Sequence, residues 1–161
     1  MTAQPTTDLA PKLRQHLFGH IMPFWCGPAV DHVNGGWMAW LSNDLQPDRT
    51  KPKGLIVHAR ILWAFSAVYQ AKPEPPLRQM ADRAFDYLIN RFWDTKYGGA
   101  FWRLDDTGKV LDDSKKIYGQ AFYIYALTEF HRAFKSEGAL HRALTLFDLI
   151  EKHAHDGVFG G

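Results

Sequence analysis

One arginine stands where a charge is expensive. Between Leu55 and Tyr69 the chain is almost wholly apolar, and Arg60 is the single formal charge in the stretch. A helix of that composition is buried on most sides. A guanidinium held on it and aimed inward can clamp two oxygens with its planar fork of donors and stabilise a negative oxygen as it forms. The alternative is an arginine paired with a buried carboxylate, or one whose stem snorkels to the helix end. Other groups able to do chemistry are less well placed. The eight histidines are spread over helices and loops. His58 lies two residues before Arg60, which puts it on a different helix face. His153 and His155 are spaced like a metal pair, but no third ligand accompanies them, and they end a helix whose dipole suits them. Cys26 is the only cysteine, so it reads as a partly buried free thiol with no internal disulfide. Asp112 and Asp113 stand just ahead of a helix, where capping is the ordinary role of aspartate.

The elements that position these residues recur. Gly35-Gly36 is followed 63 positions later by Gly98-Gly99, and 62 positions after that by Gly160-Gly161. Lys53 matches Lys115, His58 to Phe65 matches Gln120 to Leu127, and Phe85-Asp86 matches Phe147-Asp148, all at an offset of 62. Several agreements at one offset mark an internal repeat. Each unit reads as a Gly-Gly turn, a short aromatic extended piece, a loop, an apolar helix, a second loop and an amphipathic helix. The glycines give the backbone freedom that a sharp reversal needs. Trp37 to Trp40 and Ala100 to Arg103 suit small hairpins that return through Asn43-Asp44 and Asp105 to Gly108.

The spacing predicts apolar helices over Leu55 to Tyr69 and Ile117 to Phe134. It predicts amphipathic helices over Pro76 to Trp93 and Glu137 to His153, and an opening helix over Asp8 to Phe24. Pro73-Glu74-Pro75-Pro76 separates two of them and starts the second with proline in its first turn. Buried and amphipathic helices in alternation build a toroid of helical hairpins, an all-α architecture with short β-hairpins between helix pairs. The toroid domain is expected over residues 8–161, as about two and a half repeats, after a disordered tail over residues 1–7.

Bulk properties exclude several classes. The chain has 161 residues, 46% of them apolar and 22% charged, as a globular domain has. The net charge is +2, and Lys and Arg are interleaved with Asp and Glu, so there is no basic stripe for nucleic acid. No apolar run approaches a membrane span. The polar start lacks the apolar stretch of a signal peptide, and a cytoplasmic location is expected.

Taken in order, Asn34-Gly35-Gly36-Trp37, His58 to Trp63, Tyr97 to Trp102 and Ile117 to Phe122 resemble the first part of the N-acylglucosamine 2-epimerase/cellobiose 2-epimerase family. The resemblance implies the N-terminal part of an (α/α)6 barrel, and a chain that supplies less than half of it. It implies epimerisation or isomerisation at C2 of a reducing-end aldose in a mono- or disaccharide. The implied route is removal of the C2 proton, an enediolate, and return of the proton. A base near working pH favours histidine for the proton transfers, and no metal or cofactor is required. Arg60 would steady the enediolate oxygens. Tyr118 would touch the sugar through its hydroxyl, Phe122 would form an apolar wall one turn later, and His58 would make a polar contact at the barrel rim. The acid/base histidines are expected in later hairpins. Two other readings compete. A glycoside hydrolase on the same toroid would need two positioned carboxylates, of which Asp112 or Asp113 could be one. A non-enzymatic helical-repeat interaction module would need polar terminal repeats. Oligomeric state is not legible in the sequence.

Overall fold

The computed structural model describes residues 9–160, so the tail expected over 1–7 lies outside the described residues. Helix α1 (Leu9–His16) passes through a π-helical turn at Leu17–Ile21 into α2 (Met22–Cys26). A long loop leads to β1 (Lys53–Gly54) and directly into α3 (Leu55–Ala71). Then come α4 (Pro75–Tyr87), a second π-helical turn at Leu88–Phe92, β2 (Arg103–Leu104), β3 (Val110–Asp112), α5 (Ile117–Phe134) and α6 (Glu137–Ala154).

The helix boundaries follow from local chemistry. Pro75 and Pro76 open α4, where their missing N–H groups go unused and Glu74 is extended ahead of them. Helix α5 ends because Lys135 adopts a left-handed conformation (φ 56°). Ser136 then caps α6, its Oγ accepting the Ala139 N–H at 3.3 Å.

The apolar helices α3 and α5 pack side by side, with α4 against α3 and α6 against α5. Leu55, Ala59, Leu62 and Phe65 of α3 and Tyr123, Ala126, Leu127 and Phe130 of α5 are buried between them and their amphipathic neighbours. Phe85 of α4 stacks flat on Phe130, with centroids 4.5 Å apart. Burying such aromatics stabilises the pair by their area plus about 0.5–1.5 kcal/mol from ring geometry. The carboxylate of Glu129 is also buried; Gln70 of α3 and Arg132 each donate a hydrogen bond to it.

Between the helix pairs lies a small antiparallel sheet, ordered β1-β2-β3. Lys53 pairs with Leu104 and Gly54 with Arg103, and Arg103 and Leu104 pair in turn with Asp112 and Val110. The hairpin expected after Gly98-Gly99 therefore forms. The one expected after Gly35-Gly36 does not. That segment has only isolated bridges, Val30 to Trp37 and Leu41 to Pro47, because Pro47 has no N–H to give a ladder and Leu45 turns left-handed (φ 60°).

The repeat is real at the level of hydrogen bonds. Asp31 Oδ1 accepts the N–H groups of Val33 and Asn34, its N–H bonds to Gly36 O, and its Oδ2 takes Lys53 Nζ at 2.7 Å. Asp94 does the same with Lys96, Tyr97, Gly99 and Lys115, the last at 2.8 Å. Asp156 accepts from Val158 and Phe159 in a third copy of the loop. Burial alone would raise the Asp31 and Asp94 carboxyls. The lysine and the two backbone donors together outweigh it and hold both below their ordinary value.

Both glycines of the first two turns have positive φ, and Gly36 is also crowded. A Cβ there would lie 2.7 Å from the Tyr87 ring and 2.8 Å from His58 Nε2. At Gly98 the nearest atom would be 3.7 Å away. Gly98→Ala should therefore lose only the left-handed penalty, about 1–2 kcal/mol. Gly36→Ala should lose about 3 kcal/mol or more, because overpacking adds to it. Urea midpoints compare the two, and equal losses would show that the crowding at Gly36 relaxes freely.

Candidate functional site

A cleft of about 1180 Å³ lies between the opening helices and the faces of α3 and α5 that turn away from α4 and α6. Leu17, Ile21, Met22 and Trp25 form one side. Val57, Arg60, Ile61, Trp63, Ala64 and Val68 of α3 meet Ala121, Phe122 and Tyr125 of α5 on the other. The small residues Ala64, Ala67 and Ala71 keep the α3 wall low.

Arg60 is the only charged side chain lining this cleft among the described residues. It is exposed, and no described carboxylate or carbonyl pairs with it. The buried ion pair, one of its two alternatives, is thus not formed among the described residues. A free guanidinium on an apolar wall keeps all its donors for a ligand, and low polarity around it strengthens each contact.

Phe122 faces the same cleft. Tyr118 does not line it. It stands one turn nearer the helix start, 64% exposed, with its ring edge-on to Phe122 at 4.9 Å. The sequence reading missed the next layer. Trp63 and Tyr125 stack across α3 and α5 at 5.2 Å with their planes 13° apart, one turn beyond Arg60 and Phe122. The offset of 62 carries Arg60 onto Phe122 and Trp63 onto Tyr125, which was the available signal.

His58 is a correction. It was expected at the rim as a ligand contact, but it points the other way and is only 1% exposed. Its Nε2 accepts the Trp37 N–H at 3.2 Å, and its Nδ1 lies 2.9 Å from Gly54 O. Because Nε2 accepts, the proton sits on Nδ1 and is donated to Gly54 O. Tyr87 stacks on the ring at 5.1 Å, and Phe92 packs at 5.2 Å. No nitrogen remains for a ligand. Burial, opposed by the Gly54 hydrogen bond and aided by nearby Lys53, pushes the imidazole down to about 4 from its ordinary 6.5. The unfolded chain then takes up the proton first. The stability carried by neutral His58 is whole above about pH 6.5 and drains away as pH falls towards about 4.

The remaining candidates settle as structure. Asp112 sits in β3, accepts the Ser114 N–H at 3.0 Å and does not reach the cleft. Burial pushes the Cys26 thiol up, which makes it a poor nucleophile. His153 and His155 are exposed, and the described residues contain no group of three His, Cys, Asp or Glu side chains able to hold a metal. No described helix is long and apolar enough to cross a membrane. Among the described residues, no histidine or carboxylate lines the cleft. The described residues thus offer one unpaired guanidinium and aromatic walls, without a proton-transfer pair.

Residues 35–161 match the family model for N-acylglucosamine 2-epimerase (GlcNAc 2-epimerase). The cellobiose 2-epimerase of Bacteroides fragilis is 39% identical over 153 residues, which is 95% of this chain and 39% of that protein. That of Ruminococcus albus is 40% identical over 145 residues, covering 90% of this chain and 37% of the relative. The solved cellobiose 2-epimerase of Spirochaeta thermophila superposes with a TM-score of 0.87 at 38% identity, over 98% of this chain and 40% of that one. The chain spans about two fifths of the length of these relatives. With the model covering most of its residues, the chain belongs to the N-acylglucosamine 2-epimerase family.

Proposed function

We propose that the polypeptide carrying this chain is a carbohydrate 2-epimerase acting on the reducing-end aldose of cellobiose or a related sugar. Its helices are then the first hairpins of an (α/α)6 barrel, and the cleft beside α3 and α5 is part of the sugar site. The observation that carries the reading is Arg60, an unpaired guanidinium on the wall of an otherwise uncharged cleft, in a chain with cellobiose 2-epimerases among its relatives.

The chemistry follows from acidity. A C2 proton beside the open-chain aldehyde is weakly acidic, and its removal puts negative charge on the carbonyl oxygen. Arg60 holds that oxygen and lowers the energy of the enediolate. Phe122, with the Trp63–Tyr125 pair beyond it, gives the sugar an apolar face to lie against. Tyr118, outside the cleft wall, contributes its hydroxyl to the far end of a ligand that extends from the cleft. Proton transfer on both faces of C2 needs two acid/base groups, and histidines outside these residues supply them.

The test is to incubate the complete gene product with cellobiose in deuterium oxide. The expected result is a disaccharide with a mannose reducing end and deuterium at C2. Release of free glucose would favour the hydrolase. An unchanged sugar with no deuterium, for cellobiose, mannose and N-acetylglucosamine alike, would overturn the proposal. The 161-residue chain alone should give no conversion.

A further inference from the structure

The repeat places two pairs of residues in register, His58 with Gln120 and Arg60 with Phe122. Two residues on a helix are about 200° apart. His58 and Gln120 therefore point back to the Gly-Gly loops while Arg60 and Phe122 face the cleft. Both helices begin without a side-chain cap: Gly54 and Lys116, at the cap positions, make no capping hydrogen bond. An uncapped start frays unless something else holds it.

His58 and Gln120 do the holding, by related chemistry. His58 accepts the Trp37 N–H and donates to Gly54 O, tying the loop to the residue at which α3 begins. Gln120 accepts the Ala100 N–H at 2.7 Å and returns a donor to Ala100 O at 2.9 Å. Trp37 and Ala100 each follow directly on their Gly-Gly pair. The loops are themselves pinned by the Asp31–Lys53 and Asp94–Lys115 pairs. Both anchoring side chains are only 1% exposed. An imidazole and a carboxamide share one ability that this place requires, a neutral side chain with one acceptor and one donor.

We infer that His58 and Gln120 are positioning residues that anchor the first turns of α3 and α5 to the Gly-Gly loops and so set where Arg60 and Phe122 stand in the cleft. This rests on reading that cleft as the sugar site. Small displacements of a clamp weaken catalysis steeply. The groups facing His58 are Lys53, already paired with Asp31, Tyr87 from α4, and Arg83, which lies over Trp37. Burial pushes Tyr87 up to about 12 and Asp31 is held low, while His58, neutral in the anchor, is pushed down to about 4, so its protonation at low pH is what releases the anchor.

The experiment compares the wild type, His58→Ala and His58→Gln in the complete gene product. It reads hydrogen-exchange protection at the amides of residues 55–60 from pH 4 to 8, and kcat/KM on cellobiose at neutral pH. His58→Ala should lose about tenfold or more in both. His58→Gln, the second unit's own solution, should recover both to within about threefold of wild type. Wild-type protection should fall between about pH 6.5 and 4, and that of His58→Gln should stay level. Recovery no better than alanine, or full protection with alanine, overturns the inference. If the wild type converts no sugar, the epimerase reading fails on its own. The exchange data then decide the anchor alone: protection lost in alanine and kept in glutamine supports it, and equal protection in all three overturns it.

Discussion

Lys53→Met is expected to destabilise the chain by about 3–5 kcal/mol, the loss typical of a buried ion pair deprived of one partner. Lys53 and Asp31 are both 0% exposed, with Nζ 2.7 Å from Oδ2 and 2.7 Å from Gly35 O. Methionine fills nearly the same volume, so the loss reports charge and hydrogen bonds rather than a cavity. Asp31 would keep two backbone donors and a long 3.5 Å contact to Arg49, which places the effect at the lower end of the range. The second unit provides an internal control. Lys115 is 28% exposed beside Asp94, so water can replace it, and Lys115→Met should lose only about 1 kcal/mol. Adding Asp31→Asn to Lys53→Met should restore much of the stability, because no unpaired charge is then left inside. Urea unfolding of the three variants beside the wild type checks this, and equal losses at the two lysines would remove the argument from burial.

On the proposed reading, Arg60→Ala in the complete gene product should abolish most of the sugar conversion, by about 10²–10³-fold in kcat, while stability moves by no more than about 0.5 kcal/mol. The two readouts separate because Arg60 lines the cleft without a partner, so nothing in the fold depends on its charge. Arg60→Lys should recover only part of the rate, since a point charge cannot span two oxygens as the planar fork does. Turnover by Arg60→Ala within a few-fold of wild type would remove Arg60 from the chemistry and leave the cleft without its clamp.

The helical skeleton was legible because its signals are local and repeated. The Gly-Gly turns, the proline start of α4 and the apolar runs of α3 and α5 each specify an element within a few residues. Lys53-Gly54 as a strand was not legible. Two residues have no periodicity, and their partners Leu104 and Arg103 lie about fifty positions away. The site was legible in part. Arg60 stood out because a charge in an apolar helix needs a reason, and Phe122 lines the same cleft. His58 misled because the resemblance implied a polar contact at the rim; its alignment with Gln120, on a helix face away from Arg60, marks instead a place that needs an acceptor and a donor. The buried Glu129 was invisible for a different reason: the Gln70 that satisfies it lies 59 positions earlier in the chain.

The strand pairing crosses the boundary between repeats. β1 belongs to the loop of the first unit, yet it bonds to β2 in the second. Asn34 and Arg49 of the first unit also both reach Asp106 of the second, at 2.7 and 3.1 Å. Repeat proteins whose units meet only through helix faces can melt one unit at a time. Here the first unit contributes a strand and two polar ties to its neighbour, so separating them breaks a sheet as well as a packed face. The two units therefore unfold as one cooperative block, and a tear along the repeat boundary is the mode of opening that this linkage suppresses.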